Sequence, residues 1–163
     1  LTGAPFDSFL TLRGVRTLHA RMRIHEENAL AIAAALSAHP LVEAVHYPGL
    51  ADHPGHALAA RQQQGFGAML SFAVHGGPAA VEAVATGLEL FTLAESLGGV
   101  ESLIAHPATM THAAMDPAAR TAAGIGDGLL RLSVGIEHGA DLVADLLATL
   151  DRVAATALVQ ASI

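Results

Sequence analysis

Leu130-Arg131-Leu132-Ser133-Val134-Gly135-Ile136-Glu137 and Phe91-Thr92-Leu93-Ala94-Glu95-Ser96-Leu97-Gly98-Gly99-Val100-Glu101-Ser102-Leu103 are the two runs on which the fold turns. In the first, side chains alternate across a strand. Leu130, Leu132 and Val134 take one face, and Arg131 and Ser133 the other. In the second, a short apolar strand over Leu90 to Leu93 stops at an acid, a hydroxyl and two glycines. The segment between them, Ala105-His106-Pro107-Ala108-Thr109-Met110-Thr111-His112, is polar and turn-rich. A guanidinium on a strand with apolar neighbours suits a carboxylate gripped by two parallel hydrogen bonds, although a lone strand arginine more often pairs with a structural acid. Ser96-Leu97-Gly98-Gly99 offers a hydroxyl and backbone N–H groups that a small anion can approach closely, because glycine has no side chain.

Working outward, Gly65 to Val74 is predicted to be a strand whose Ala68, Leu70, Phe72 and Val74 alternate with smaller or more polar residues. Val42 to His46 is a shorter one. His75-Gly76-Gly77-Pro78 turns into a helix ending near Gly87, and no lysine-hydroxyl pair follows to make a phosphate loop. Leu18, Met22, Ala29, Ile32 and Leu36 recur at helical spacing, with Thr17 as a cap and His39-Pro40 as the stop. Pro5 opens and Gly14 closes a shorter helix before it. From Ala140 onward, Leu142, Leu146, Leu150 and Val153 form the stripe of a terminal helix, with Asp141 and Asp145 near its N-terminal end. Ala113 to Asp127, which holds Arg120, reads as a helix or surface loop without assigned chemistry. Strands interleaved with helices give an α+β layer: a small, mostly antiparallel sheet with helices on one face.

The 163 residues suit one domain, and 52% hydrophobic against 14% charged residues exclude disorder. A net charge of −7 argues against nucleic acid or an anionic membrane as partner, so an anionic substrate needs a local cation. No apolar run approaches the ~20 residues that span a bilayer, and no signal peptide is recognisable. With no cysteine there is neither a disulfide framework nor a thiolate nucleophile, which fits the cytoplasm. His46, His53 and His56 are the best metal candidates among ten histidines. Their loop adds only Asp52 and matches no zinc spacing, so water-facing histidines and no metal are expected.

The two opening runs, together with Phe6-Asp7-Ser8, Leu12-Arg13-Gly14, Arg61-Gln62-Gln63 and Gly65-Phe66-Gly67-Ala68-Met69-Leu70-Ser71-Phe72, resemble the C-terminal part of the pyridoxal-phosphate enzymes of cysteine and methionine metabolism. The resemblance runs from about Thr2 to Asp151 and is nearest to the cystathionine gamma-synthase branch, which Arg61 to Met69 favours. It implies the small C-terminal domain of a fold-type I transferase. Residues 1–16 would end the large cofactor domain, 17–38 would be a connecting helix and 39–163 the substrate-binding domain. It implies that Arg131 grips the substrate α-carboxylate and that Ser96 lies beside substrate and cofactor. Glu95 would select the distal polar end of the substrate, although an acid at a strand end can also simply face water.

One residue type is missing. Pyridoxal phosphate is normally held as a Schiff base on lysine, and all eight basic residues here are arginine. No catalytic residue is therefore expected in this chain, which alone should be inactive. The absent lysine, and a start within Leu1-Thr2-Gly3-Ala4-Pro5 without methionine, lead us to expect a preceding cofactor domain. The implied activity of the whole is γ-replacement, O-succinylhomoserine and cysteine giving cystathionine and succinate, in a homo-oligomer built as a dimer of dimers. Cystathionine gamma-lyase is the alternative within the family, and a non-catalytic α+β binding module is the alternative outside it.

Overall fold

The computed structural model describes residues 3–161. Helices α1 (Pro5–Val15) and α2 (Leu18–Ser37) precede strand β1 (Val42–His46), helix α3 (His56–Gln62), strand β2 (Met69–Val74) and helix α4 (Gly77–Gly87). Strands β3 (Thr92–Leu93) and β4 (Leu103–Ala105), helix α5 (Pro117–Ala122), strand β5 (Leu129–Ser133) and helix α6 (Gly139–Ala161) complete the order. The five strands lie as β1-β2-β5-β4-β3.

Alternation places the core as the sequence predicts. Leu70, Phe72 and Val74 of β2 and Leu130 and Leu132 of β5 turn to one face. There they join Ile32 and Leu36 of α2, Val84 of α4 and Leu146 of α6 in a single buried cluster. Each such side chain contributes ~1.5–3 kcal/mol on leaving water. The sheet is mixed rather than mostly antiparallel. β1–β2, β2–β5 and β5–β4 are antiparallel, but β3 runs parallel to β4. Parallel neighbours cannot be joined by a tight hairpin; residues 94–102 leave β3 and return in the same direction to start β4. That connection carries the candidate site.

Some boundaries differ from expectation for local reasons. β4 is three residues long and wholly buried, too short to show a period. Helix α1 runs through Gly14 to Val15, and the Gly14 carbonyl accepts from Thr17 Oγ1 (3.2 Å) and Arg21 Nη2 (2.8 Å). The Thr17 hydroxyl therefore faces backward and makes no cap bond to α2. Only the second half of the α2 stripe is buried: Ala29, Ile32 and Leu36 are fully covered, while Leu18 and Met22 are exposed.

Asp145 does more than complement the α6 dipole. Its carboxylate accepts from the backbone N–H groups of Glu89 (3.1 Å) and Leu90 (2.9 Å), fixing the turn between α4 and β3. Replacing Asp145 with alanine is expected to lower stability by about 1 kcal/mol, read as a shifted urea midpoint at constant m.

Tyr47, the single tyrosine, is fully buried, and its hydroxyl donates to Gly67 O (2.8 Å). Burial first, and the Glu26 carboxylate second, raise its pKa above the ordinary 10.0. The folded state then holds a proton that the unfolded state loses first, so stability falls as pH rises through 10.0. A phenolate titration by absorbance is expected to find Tyr47 still protonated at that pH, and ionising with unfolding above it.

Candidate functional site

Arg131 lies on β5 between Ser71 of β2 and Ala105 of β4, on the sheet face opposite the core. The apolar neighbours Leu130 and Leu132 are fully buried, so the strand cannot turn to withdraw the guanidinium. Nη2 donates to the carbonyl oxygens of Glu95 (2.8 Å) and Ser96 (3.2 Å). Nε is buried and has no partner among the described residues. No structural carboxylate pairs with Arg131 among the described residues, which removes the commoner alternative use of a strand arginine. A partly buried guanidinium with unspent donors is suited to receive an anionic ligand.

The three candidate residues thus meet at one place, but through the backbone. Glu95 and Ser96 are exposed; their carbonyls hold Arg131, and their side chains make no hydrogen bonds among the described residues. The acid and the hydroxyl are thereby carried on the two residues that contact the arginine, residue types complementary to a small zwitterion. The turn beyond them depends on glycine at Gly98, whose φ of 78° an L side chain rarely adopts.

Four further residues hold this place together. The buried Ser133 hydroxyl accepts from Gly98 N (2.9 Å). Glu137 accepts from Ser102 N (2.7 Å) and Ser102 Oγ (2.9 Å), and Ser102 Oγ accepts from Gly135 N (2.8 Å). From α2, Asn28 Nδ2 donates to the carbonyls of Gly135 (3.1 Å) and Glu137 (2.9 Å). The alternation of β5 already put Ser133 beside Arg131; nothing in sequence linked Asn28 to a turn more than a hundred residues away.

Histidines and Arg120 take structural roles. Among the described residues, no three His, Cys, Asp or Glu side chains gather as a metal site. The His53 ring accepts from Gly55 N (3.0 Å), and the His56 ring stacks on Phe66 at 5.1 Å. His56 is thus half-buried rather than water-facing. Arg120 pairs with Asp127 (2.6 Å), and His106 bridges Thr109 and the Asp127 carbonyl. Among the described residues no helix is long and apolar enough to cross a membrane.

Pyridoxal phosphate calls for a covalent tether as well as polar contacts. A chain without lysine cannot supply the covalent tether. The unspent Arg131 donors and the Ser96 hydroxyl fit the substrate side of such a site, where an α-carboxylate is held.

Comparison with known proteins gives consistent results. The profile of the Cys/Met metabolism PLP-dependent enzymes matches residues 2–151. The chain is 58% identical over 146 residues to cystathionine gamma-synthase of Escherichia coli K12, covering 90% of this chain and 38% of that protein. It is 51% identical over 149 residues to cystathionine gamma-lyase of Dictyostelium discoideum, covering 91% and 38%. Its fold superposes with a TM-score of 0.90, at 69% identity, on cystathionine gamma-synthase from Xanthomonas oryzae pv. oryzae, solved in complex with aminoacrylate and cysteine. That match covers 96% of this chain and 40% of the other. The chain therefore spans about two fifths of the length of the relatives it matches.

Proposed function

The chain belongs to the Cys/Met metabolism PLP-dependent enzymes, and from that premise we propose that it is the C-terminal, substrate-gripping part of a cystathionine gamma-synthase. The whole protein would replace the γ-substituent of O-succinylhomoserine with the sulfur of cysteine, giving cystathionine and succinate. The observation that carries the reading is Arg131: a strand-mounted guanidinium, oriented by two carbonyls, with donors left over. Similarity to a bacterial gamma-synthase at 58% identity favours synthesis. Similarity to a gamma-lyase at 51% keeps cystathionine cleavage as the second reading.

Each residue has a defined task. Arg131 binds the α-carboxylate and so fixes the orientation of the amino acid. The Ser96 hydroxyl hydrogen-bonds at the junction of substrate and cofactor, and Glu95 meets the distal polar end. Bound pyridoxal phosphate would supply an electron sink for deprotonation beside the amino group. Its covalent tether lies outside this chain, which by itself would be inactive.

Residues 1–16 would end the cofactor domain, 17–38 connect, and 39–163 form the small domain. Helix α1 supports this division: Phe6, Phe9, Leu12 and Val15 are all more than half exposed. A helix that leaves four large apolar side chains uncovered calls for cover from further protein, here the cofactor domain and neighbouring subunits of a homo-oligomer in the cytoplasm.

The intact mass and visible spectrum of the polypeptide that carries these residues test enzyme against binding module. A mass well above 16.6 kDa with covalently held pyridoxal phosphate supports the enzyme. A colourless protein that binds no pyridoxal phosphate at any length overturns it.

A further inference from the structure

Resting on the carboxylate reading of Arg131, we propose that Ser133 and Glu137 are positioning residues that aim its guanidinium by holding the segment 95–102 in place. That segment forms no strand, yet it runs beside β5 and its continuation in step with it. Arg131 meets the carbonyls of residues 95 and 96, Ser133 meets Gly98 N, and Ile136 N donates to Val100 O (2.9 Å). Glu137 then closes the series on Ser102. Along β5 the side chains take the place that a second backbone would take in a β-ladder. Arg131 and Ser133 serve the same segment because alternate residues of a strand share a face.

The base of this arrangement is fixed. His25 on α2 contacts the Val134 carbonyl through Nδ1 (2.6 Å), and Asn28 holds the carbonyls of Gly135 and Glu137. Ser133 and Ser102 are buried, so their hydrogen bonds compete with little water. The segment 95–102 is therefore placed by β5, and it in turn presents two carbonyls to Nη2. Those two bonds fix the rotation of the planar guanidinium, and with it the direction in which the remaining donors point. Loss of the Ser133 hydroxyl would leave Gly98 N unpaired and free the carbonyls of Glu95 and Ser96 to drift. The direction in which the remaining donors meet a carboxylate would then be lost while Arg131 itself remained.

The test uses the full-length protein and two competitive inhibitors that differ only by the α-carboxylate, L-homoserine and aminopropanol. Ser133→Ala is expected to weaken L-homoserine about fivefold, as loss of one hydrogen bond allows, and to leave aminopropanol unchanged. Glu137→Ala should act the same way, with Glu137→Gln restoring most of the loss because its amide oxygen still accepts from Ser102 N. In an Arg131→Lys background, Ser133→Ala should add nothing. Equal weakening of both inhibitors, or none of either, overturns the proposal. Should Ser133→Ala fail to fold, the Glu137 pair carries the same comparison. If Arg131→Lys does not distinguish the two inhibitors, the carboxylate reading itself falls, and the proposal with it.

Discussion

Replacing Arg131 with lysine in the full-length protein is expected to raise the KM for amino-acid substrates about a hundredfold and to leave pyridoxal phosphate affinity nearly unchanged. Charge is conserved by this substitution, but the fork is not. An ammonium group is a point charge on a flexible stem, and it lacks the rigid plane that lets one nitrogen hold two carbonyls while another faces a carboxylate. Arg131 Nη2 already serves Glu95 O and Ser96 O, so lysine would have to abandon either the segment or the ligand. Hydrogen bonds to charged groups contribute about 1.5–3 kcal/mol each, enough for a hundredfold change. Substrate KM measured beside a cofactor titration checks this; an unchanged KM contradicts the role given to Arg131.

The second large effect is expected at Gly135. A Cβ there would run into the Val100 carbonyl oxygen, the Glu101 backbone carbon (2.7 Å) and the Glu137 carboxylate. The carboxylate is tied to Ser102 and the backbone atoms belong to the held segment, so neither can move alone. Gly135 also donates to Ser102 Oγ and accepts from Asn28, so any shift strains both partners. Gly135→Ala is expected to cost about 3 kcal/mol, the upper end of overpacking effects, and to weaken carboxylate binding with it. Gly126→Ala is the control: its Cβ would meet nothing within 4 Å. Urea unfolding of the two variants should differ by most of that amount; equal midpoints would show that the segment 95–102 is not held as described.

Much of this was legible in the sequence because the informative periods are short. Alternation over Leu130 to Ser133 fixes which residues face the core and which face the site, and the structure agrees. The stripe of α6 is equally plain, since Leu142, Leu146 and Leu150 are all buried. What stayed hidden depends on pairing between distant segments. The parallel β3–β4 pair rests on two residues of β3 and three of β4, too few for any pattern. The links from Asn28 to Gly135 and from Ser102 to Glu137 join polar residues whose sequence neighbours give no sign of a partner. At the site, residues 95, 96 and 131 were marked by residue type. That backbone carbonyls rather than the Glu95 carboxylate hold the arginine follows only from the fold.

The apolar residues left uncovered are informative in the same way. Leu18 and Met22 continue the helical stripe of Ile32 and Leu36, yet only the latter pair is buried. Such a stripe has the composition of a core without the other half of one. This fits a chain spanning about two fifths of its relatives.

The most direct measurement is product analysis of the full-length protein given O-succinylhomoserine with cysteine in one reaction and cystathionine alone in another. Cystathionine and succinate are expected in equal amounts from the first, with little breakdown in the second. Cleavage of cystathionine without its formation would contradict the synthase assignment and transfer the same site to a lyase.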